Sequence, residues 1–280
     1  MNVIGFGRTA RFVELDAARV AKLFNDGFPV DVVKREYENH RAIRVRFDRM
    51  PQALELTELE GKNAIVYQRI DGKLLARHLG EKPLEIAEIL NDFSDLHESI
   101  NGIRVPELAC GSEFLEACVV DAALLTTEEK GLACSFIRAT AADYVCHGDF
   151  HPENVMVDGE ENLWVIDWLT AFRGNPLFDI ARTYYLLKYG VSPMEKRTID
   201  KIIEGLFRLI YPQRYVRRRL RRNGEKELFP AFFFIVLVLR LRDNIPEENA
   251  AVEKMIAKLK RRALRIMELR LAARNASQSA

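Results

Sequence analysis

The 280-residue sequence lacks the features that mark disulfide-rich, zinc-binding and membrane-spanning proteins. Its four cysteines (Cys110, Cys118, Cys134 and Cys146) include no C-x-x-C pair, so we expect free thiols in a reducing compartment. The longest apolar run, residues 231–239, has nine residues, whereas a membrane-spanning helix needs about 20. No basic stretch followed by an apolar segment opens the sequence. We therefore predict no secretion signal, no membrane partner and a cytoplasmic location.

Charge is balanced over the whole chain but not along it. The net charge is +1, yet residues 181–280 carry 23 Lys and Arg against 10 Asp and Glu, and residues 1–180 carry 19 against 31. The arginine runs at 217–219 and 221–222 fit an acidic or nucleic-acid partner, or a solvated helix face. We favour the solvated face and expect no nucleic acid, because aromatic interleaving and a nucleic-acid-binding motif are both absent.

A polar stretch near the middle of the chain carries the clearest chemical pattern. Two short apolar runs, 155–157 and 163–166, flank an Asp-Gly turn and predict a hairpin. Asp149 and Asn154 precede this hairpin, and Asp167 ends it. Because a hairpin returns the chain to its start, we expect the three oxygen-bearing side chains to converge, an arrangement that suits Mg²⁺ shared with substrate phosphates. The structural alternative is that each one caps its own turn.

This stretch resembles the catalytic loop of protein kinases in the variant used by the aminoglycoside phosphotransferase family and its choline-kinase relatives. That family has H-G-D-x-x-x-x-N followed by I-D-W or I-D-F, which stand here at residues 147–154 and 166–168. Residues 174–181 (GNPLFDIA) resemble its G-x-P-x-x-D-(I/L)-A segment. The resemblance implies that Asp149 is the catalytic base, that Asn154 and Asp167 bind Mg²⁺, and that Asp179 supports the loop. His147 is expected to be structural.

Residues near the N-terminus fit the phosphate-binding part of the same fold. Gly5 and Gly7 belong to a G-x-G-x-x-A segment, and glycine lets backbone amides approach phosphates. The resemblance implies that Lys22, on a strand, pairs with the phosphates and that Glu36, on a helix, fixes this lysine. Glu38 is the alternative partner, but two helical residues lie about 200° apart, so only one can face Lys22.

The resemblance further implies that backbone groups of Gln68 and Ile70, at a hinge, contact the adenine of ATP. The predicted fold is α+β and protein-kinase-like. It has a strand-rich nucleotide-binding lobe over residues 1–68 and a helical lobe over residues 69–280 with the catalytic loop and acceptor site. The expected reaction moves the γ-phosphoryl group of ATP, with Mg²⁺, to a hydroxyl of a small molecule.

Two other functions stay open at this point: a non-catalytic ATP-binding or scaffold protein with the same fold, and a nucleic-acid-binding module that uses the basic C-terminal third. The acceptor and the oligomeric state are not predicted, although the basic C-terminal third argues against a polycationic acceptor such as an aminoglycoside. His97 lies on the apolar stripe of a predicted helix and is expected in the core.

Hydrophobic periodicity and turn residues predict the remaining elements. Strands are expected up to residue 15 after the glycine pair, and over residues 19–24, 53–60 and 64–70. Helices are expected over residues 29–46, 83–100, 126–144, 182–189, 193–211, 230–242 and 246–274.

Overall fold

The computed structural model describes residues 2–7, 9–190, 198–221 and 224–278. The chain forms two compact units, Met1–Leu108 with Asp149–Ala171, and Ala109–Gly148 with Phe172–Ala280. The boundaries of these units differ from those of the two predicted lobes, so the lobe boundary after residue 68 stays a prediction.

A five-stranded antiparallel sheet opens the first unit. Its strands are β1 (Asn2–Phe6), β2 (Ala10–Glu14), β3 (Arg19–Phe24), β4 (Ala53–Leu59) and β5 (Lys62–Gln68), in the order β1-β2-β3-β5-β4. Neighbouring residues of a strand point to opposite faces. Phe24 and Tyr67 therefore pack with Val33 of helix α1 (Val30–Arg44), whereas Leu23 belongs to the core on the other face.

The rest of the first unit carries the predicted hairpin. It comprises β6 (Gly72–Leu74), helices α2 (Leu75–Glu81) and α3 (Ile86–Ile100), and strands β8 (Val155–Asp158) and β9 (Leu163–Val165). The three strands form one antiparallel sheet in the order β6-β8-β9, and Val155 pairs with Val165. The hairpin prediction is confirmed, since two short apolar runs joined by an Asp-Gly turn can pair locally.

The second unit is mostly helical. It comprises α4 (Gly111–Asp121), α5 (Thr127–Ala139), β7 (Tyr144–Cys146), β10 (Phe172–Gly174), α6 (Pro176–Tyr189), α7 (Thr198–Arg221), α8 (Phe229–Arg242) and α9 (Pro246–Gln278). Residues 231–240 of α8 are all buried, as expected for a helix that is apolar all round. Within the described ranges, no helix combines the length and apolar character needed to cross a membrane.

Several element predictions need correction. The helix predicted over residues 126–144 ends at Ala139, and Tyr144–Cys146 instead pairs antiparallel with Phe172–Gly174 as a short strand. Helices α2 and α4 were not predicted, because 7 and 11 residues leave little room for a periodic pattern. The helix predicted from residue 193 is described only from Thr198, since residues 191–197 lie outside the described residues.

Candidate active site

A buried ion pair joins the sheet to helix α1. Lys22 of β3 points to the face that α1 covers, and its Nζ lies 2.8 Å from Glu36 Oε1 and 3.0 Å from Glu36 Oε2. Their side chains are 3% and 1% exposed. Glu38, the alternative partner, is exposed to solvent. The predicted contact between Lys22 and Glu36 therefore forms, because Glu36 lies on the inner stripe of the helix.

Asp167 reaches the same lysine from the far end of the hairpin. Its Oδ1 lies 3.0 Å from Lys22 Nζ, and its side chain remains 37% exposed. The backbone of Asp167 has φ +61°, a left-handed conformation that aspartate tolerates better than most residues. The next residue, Trp168, is fully buried and stacks edge-on against Phe47. This anchor holds the turn that presents the Asp167 carboxylate.

The two carboxylates of this cluster stabilise the positive charge of Lys22. Burial disfavours the ammonium of Lys22, but the carboxylates of Asp167 and Glu36 outweigh burial and raise the pKa of Lys22. Burial raises the pKa of Glu36, and its contacts with Lys22 and with the Tyr67 hydroxyl act against that rise. The arrangement supplies a fixed positive charge flanked by two negative ones, which is suited to bind a phosphate group beside a cation.

Asp149 and Asn154 meet in the loop before the hairpin. Asn154 Nδ2 donates to the backbone oxygen of Asp149 at 2.8 Å and to its Oδ2 at 3.2 Å. The Asp149 side chain is 33% exposed. The backbone oxygen of Asn154 accepts a hydrogen bond of 3.0 Å from the N–H of Ile166, the residue before Asp167. The hairpin therefore brings the three predicted oxygen-bearing residues to one end of the β8–β9 pair.

Aromatic stacking anchors the catalytic loop. Phe150 is fully buried, and its ring lies 4.4 Å from that of Phe93 and 4.3 Å from that of His97, measured between centroids. Both partners belong to α3. The prediction that His97 is a core residue is confirmed. With its neighbour Phe150 locked into the core, the Asp149 backbone has little freedom to move.

The sequence reasoning missed His151. Its Nε2 lies 3.4 Å from Asp149 Oδ2 and 3.2 Å from Asn154 Nδ2. The available signal was the position of His151 inside the five-residue interval from Asp149 to Asn154.

In the second unit, Asp179 holds the start of the catalytic loop. This residue of α6 is fully buried, and its carboxylate accepts hydrogen bonds from the backbone N–H groups of His147 at 2.8 Å and Gly148 at 2.9 Å. Gly148 has φ +78°, which glycine adopts without steric cost. His147 is also fully buried. These contacts agree with the supporting role that the resemblance implies for Asp179.

The other predicted nucleotide-binding residues, Gly5, Gly7, Gln68 and Ile70, lie in or close to strands β1 and β5. Gly5 pairs with Phe12 inside the β1–β2 ladder rather than lying in a loop, and the N–H of Gly7 donates to the Ala10 oxygen at 2.7 Å. The N–H of Gln68 donates to the Gln52 oxygen at 2.8 Å, so the sheet already uses it. Ile70 follows the end of β5.

The oxygen donors of the site fit Mg²⁺. Over the ranges that the structure covers, no group of three or more His, Cys, Asp or Glu side chains is arranged to hold a metal. The predicted set is of another kind, one carboxylate and one amide, with water and phosphate supplying the other ligands. Asn154 contacts Asp149 through Nδ2, which leaves its Oδ1 as a ligand for the metal. Asp167 contacts Lys22 through Oδ1, which leaves its Oδ2 as a second ligand.

Comparison with known proteins identifies the family. The family model described as APH, phosphotransferase enzyme family, matches residues 4–222. The chain belongs to this phosphotransferase family. No curated protein matches the sequence of this phosphotransferase significantly.

Solved structures that resemble this phosphotransferase are kinases of small molecules. A thermostable mutant of aminoglycoside phosphotransferase APH(4)-Ia, in a ternary complex with ADP and hygromycin B, has a TM-score of 0.60 at 14% identity, covering 95% of this chain and 92% of that one. A choline/ethanolamine kinase family protein from Mesorhizobium loti has a TM-score of 0.55 at 14% identity, covering 95% and 91%. Choline kinase LicA from Streptococcus pneumoniae has a TM-score of 0.51 at 11% identity, covering 92% and 94%.

At these identities the likeness shows the fold, and the family match shows the enzyme class. The predicted family, the α+β protein-kinase-like fold and the phosphotransferase class are confirmed. The roles of individual residues in this phosphotransferase stay predictions.

Proposed function

We propose that this phosphotransferase moves the γ-phosphoryl group of ATP to a hydroxyl group of a small molecule. The observation that carries the proposal is the contact of Lys22 with both Glu36 and Asp167, at 2.8 and 3.0 Å, in a unit that also contains the Asp149–Asn154 pair. A structural role alone does not require a buried lysine, two carboxylates and an acidic loop residue in one place, whereas phosphoryl transfer does.

The nucleotide is proposed to bind through residues on either side of Lys22. The Lys22 ammonium pairs with phosphate oxygens while Glu36 holds its position. The backbone at Gly5 and Gly7, which carries no side chain, lets the phosphates come close although the N–H of Gly7 is used by Ala10, and Ile70, beyond the end of β5, offers backbone groups to the adenine edge. Gln68 contributes through its carbonyl, because its N–H is used in the sheet.

Mg²⁺ is proposed as the metal of this site. Asn154 Oδ1 and Asp167 would hold it, and it would neutralise the negative charge that develops on the transferring phosphoryl group. Asp167 remains partly exposed, so its carboxylate is accessible to a ligand. The similar aminoglycoside phosphotransferase that was solved with ADP and hygromycin B supports ATP as the phosphate donor.

Asp149 is proposed as the catalytic base. Its carboxylate accepts the proton of the acceptor hydroxyl as the hydroxyl oxygen bonds to the γ-phosphorus and the bond to the departing ADP oxygen breaks. The hydrogen bond from Asn154 Nδ2, at 3.2 Å, orients this carboxylate. Because the resemblance implies an acceptor site in the helical lobe, and residues 181–280 of that lobe are basic, we propose a neutral or anionic hydroxyl compound rather than a polycation.

We propose a cytoplasmic location for the reaction. Three of the four cysteines are buried as free thiols and the fourth is free and partly buried, which is the usual state of cysteine in a reducing compartment.

The test is ATP consumption with Mg²⁺ against a panel of amino alcohols, sugars, nucleosides and aminoglycosides. Asp149→Asn is expected to lower kcat by about 10²–10⁴-fold, the usual contribution of a general base. Asp26→Asn is the matched control, because Asp26 is 84% exposed and pairs only with Lys62 among the described residues. Undiminished turnover of the Asp149→Asn variant would contradict the proposal. ATP binding without turnover of any acceptor would favour the non-catalytic alternative.

A further inference from the structure

The carboxylate of Glu36 has a second donor besides Lys22. The hydroxyl of Tyr67, on β5, donates to Glu36 Oε1 at 3.0 Å, the same oxygen that lies 2.8 Å from Lys22 Nζ. Tyr67 is 7% exposed. Burial raises the pKa of Tyr67 well above its ordinary value, so the hydroxyl remains protonated and acts as a donor. Nothing in the proposed phosphoryl transfer yet uses this residue.

Tyr67 also contacts the next turn of helix α1. The ring of His40, four residues after Glu36, lies 5.0 Å from the Tyr67 ring between centroids. The His40 Nε2 lies 2.5 Å from the carbonyl oxygen of Pro51, in the segment before β4. Tyr67 therefore meets α1 at two successive turns, one through its hydroxyl and one through its ring.

The hydrogen-bonding capacity of Lys22 explains why a second donor matters. An ammonium group has three N–H donors, and Lys22 Nζ contacts three oxygen atoms, Glu36 Oε1, Glu36 Oε2 and Asp167 Oδ1. All three donors are thus used. A phosphate oxygen can bind Lys22 only if one of these contacts is given up. Without another donor, a released oxygen of Glu36 would be buried and unsatisfied, which is costly for a charged group.

We propose that Tyr67 is a positioning residue of the phosphotransferase reaction, whose hydroxyl holds the Glu36 carboxylate in place while Lys22 gives up one of its contacts to bind a nucleotide phosphate. This inference rests on the proposed function, since it concerns the lysine assigned to the phosphates. The hydroxyl satisfies Oε1 without adding charge, so Glu36 keeps both its orientation and its attraction for Lys22 when the ammonium shares its donors.

The chain offers a matched control in Tyr37. This tyrosine lies on α1 beside Glu36 and packs against the same apolar cluster as Tyr67. Among the described residues its hydroxyl has no hydrogen-bond partner, and its ring lies 5.6 Å from the Arg41 guanidinium. Tyr67→Phe and Tyr37→Phe both remove one hydroxyl and keep the ring in the same core. Only the first removes a donor to Glu36.

The experiment measures MgATP affinity by calorimetry and records the ¹⁵N resonance of the Lys22 ammonium in the nucleotide-free protein, assigned with Lys22→Arg. Tyr67→Phe is expected to weaken MgATP binding by about 10- to 100-fold, as for the loss of a hydrogen bond to a charged group, and to shift the Lys22 resonance. Tyr37→Phe is expected to leave the resonance in place and the affinity within about twofold, the small effect usual for a group without a hydrogen-bond partner.

The inference is overturned if Tyr67→Phe leaves either the affinity or the resonance unchanged, or if Tyr37→Phe changes both to the same extent, since packing alone would then explain the effect. If the unmodified protein binds no MgATP, the proposed function fails. The Lys22 resonance of the nucleotide-free variants then decides by itself whether Tyr67 positions the Lys22–Glu36 pair.

Discussion

At the scale of single residues, the site depends on polar side chains that are buried and yet satisfied. Lys22 has a partner for each of its N–H donors, and Asn154 orients Asp149. Glu36 was separable from Glu38 in the sequence only by resemblance, whereas burial distinguishes them directly. Tyr67 was not predicted as a partner of the site, because a hydrogen bond between side chains from distant segments has no local spacing, whereas the position of His151 between Asp149 and Asn154 was a local signal.

His40 makes stability depend on pH. Burial lowers the pKa of His40 to about 4, with the charges of Lys22 and Arg44 adding to the effect against its bond to Pro51. The unfolded chain, with a histidine pKa of about 6.5, binds a proton between these values and the folded protein does not. The contribution of neutral His40 to the free energy of unfolding is therefore fully present above about pH 6.5 and is lost as pH falls toward 4.

We expect His40→Gln, which keeps an N–H donor for the Pro51 carbonyl, to remove this dependence. Between pH 7 and pH 5 the unmodified protein should lose about 2 kcal/mol more stability than the variant. Urea unfolding at both pH values measures the difference. Parallel loss in the two proteins would show that other groups account for the acid sensitivity.

At the scale of elements, the hairpin of the site packs against strand β6, whose backbone lies very close to that of β8. A Cβ atom added to Gly72 of β6 would lie 2.2 Å from the Val157 carbonyl oxygen of β8. This glycine lets β6 pair with the first strand of the hairpin that carries Asp167. The pairing of Gly72 with Asp158, more than 80 residues later, was not predictable from the sequence.

We expect Gly72→Ala to lower the free energy of unfolding by about 1–3 kcal/mol, because the backbone of β8 must shift to admit the methyl group. Gly80→Ala is the control. Gly80 lies in helix α2, and a Cβ atom there would meet nothing within 4 Å, so alanine should be neutral or stabilising by up to about 1 kcal/mol. Urea denaturation measures the free energy of unfolding of both variants. Equal changes in Gly72→Ala and Gly80→Ala would refute the steric explanation.

At the scale of the whole molecule, the chain draws its site from widely separated segments. The candidate residues of the first unit run from Gly5 to Asp167, and Lys22 meets Asp167 across a separation of 145 residues. Such a site exists only in the folded protein. A ligand that binds it must therefore stabilise the folded state over the unfolded one.

MgATP is accordingly expected to raise the free energy of unfolding by about 2.7 kcal/mol at 100 times its dissociation constant. Thermal unfolding with ATP, with and without Mg²⁺, measures this effect. In Asp167→Ala the part of the stabilisation that depends on Mg²⁺ should disappear, because a proposed ligand of the metal is lost. A variant that responds to Mg²⁺ as strongly as the unmodified protein would exclude Asp167 from the metal site.

The sequence by itself determined the hairpin and the family, because each depends on residue types at short, fixed spacings. Helix α8 was also predictable, since the nine buried residues 231–239 form one apolar run. Only the tertiary structure decided that Glu36 pairs with Lys22, that Asp167 shares this lysine, and that Tyr67 completes the cluster. Those contacts join segments far apart in the chain, and side-chain burial and backbone packing select among residues that local spacing leaves equivalent.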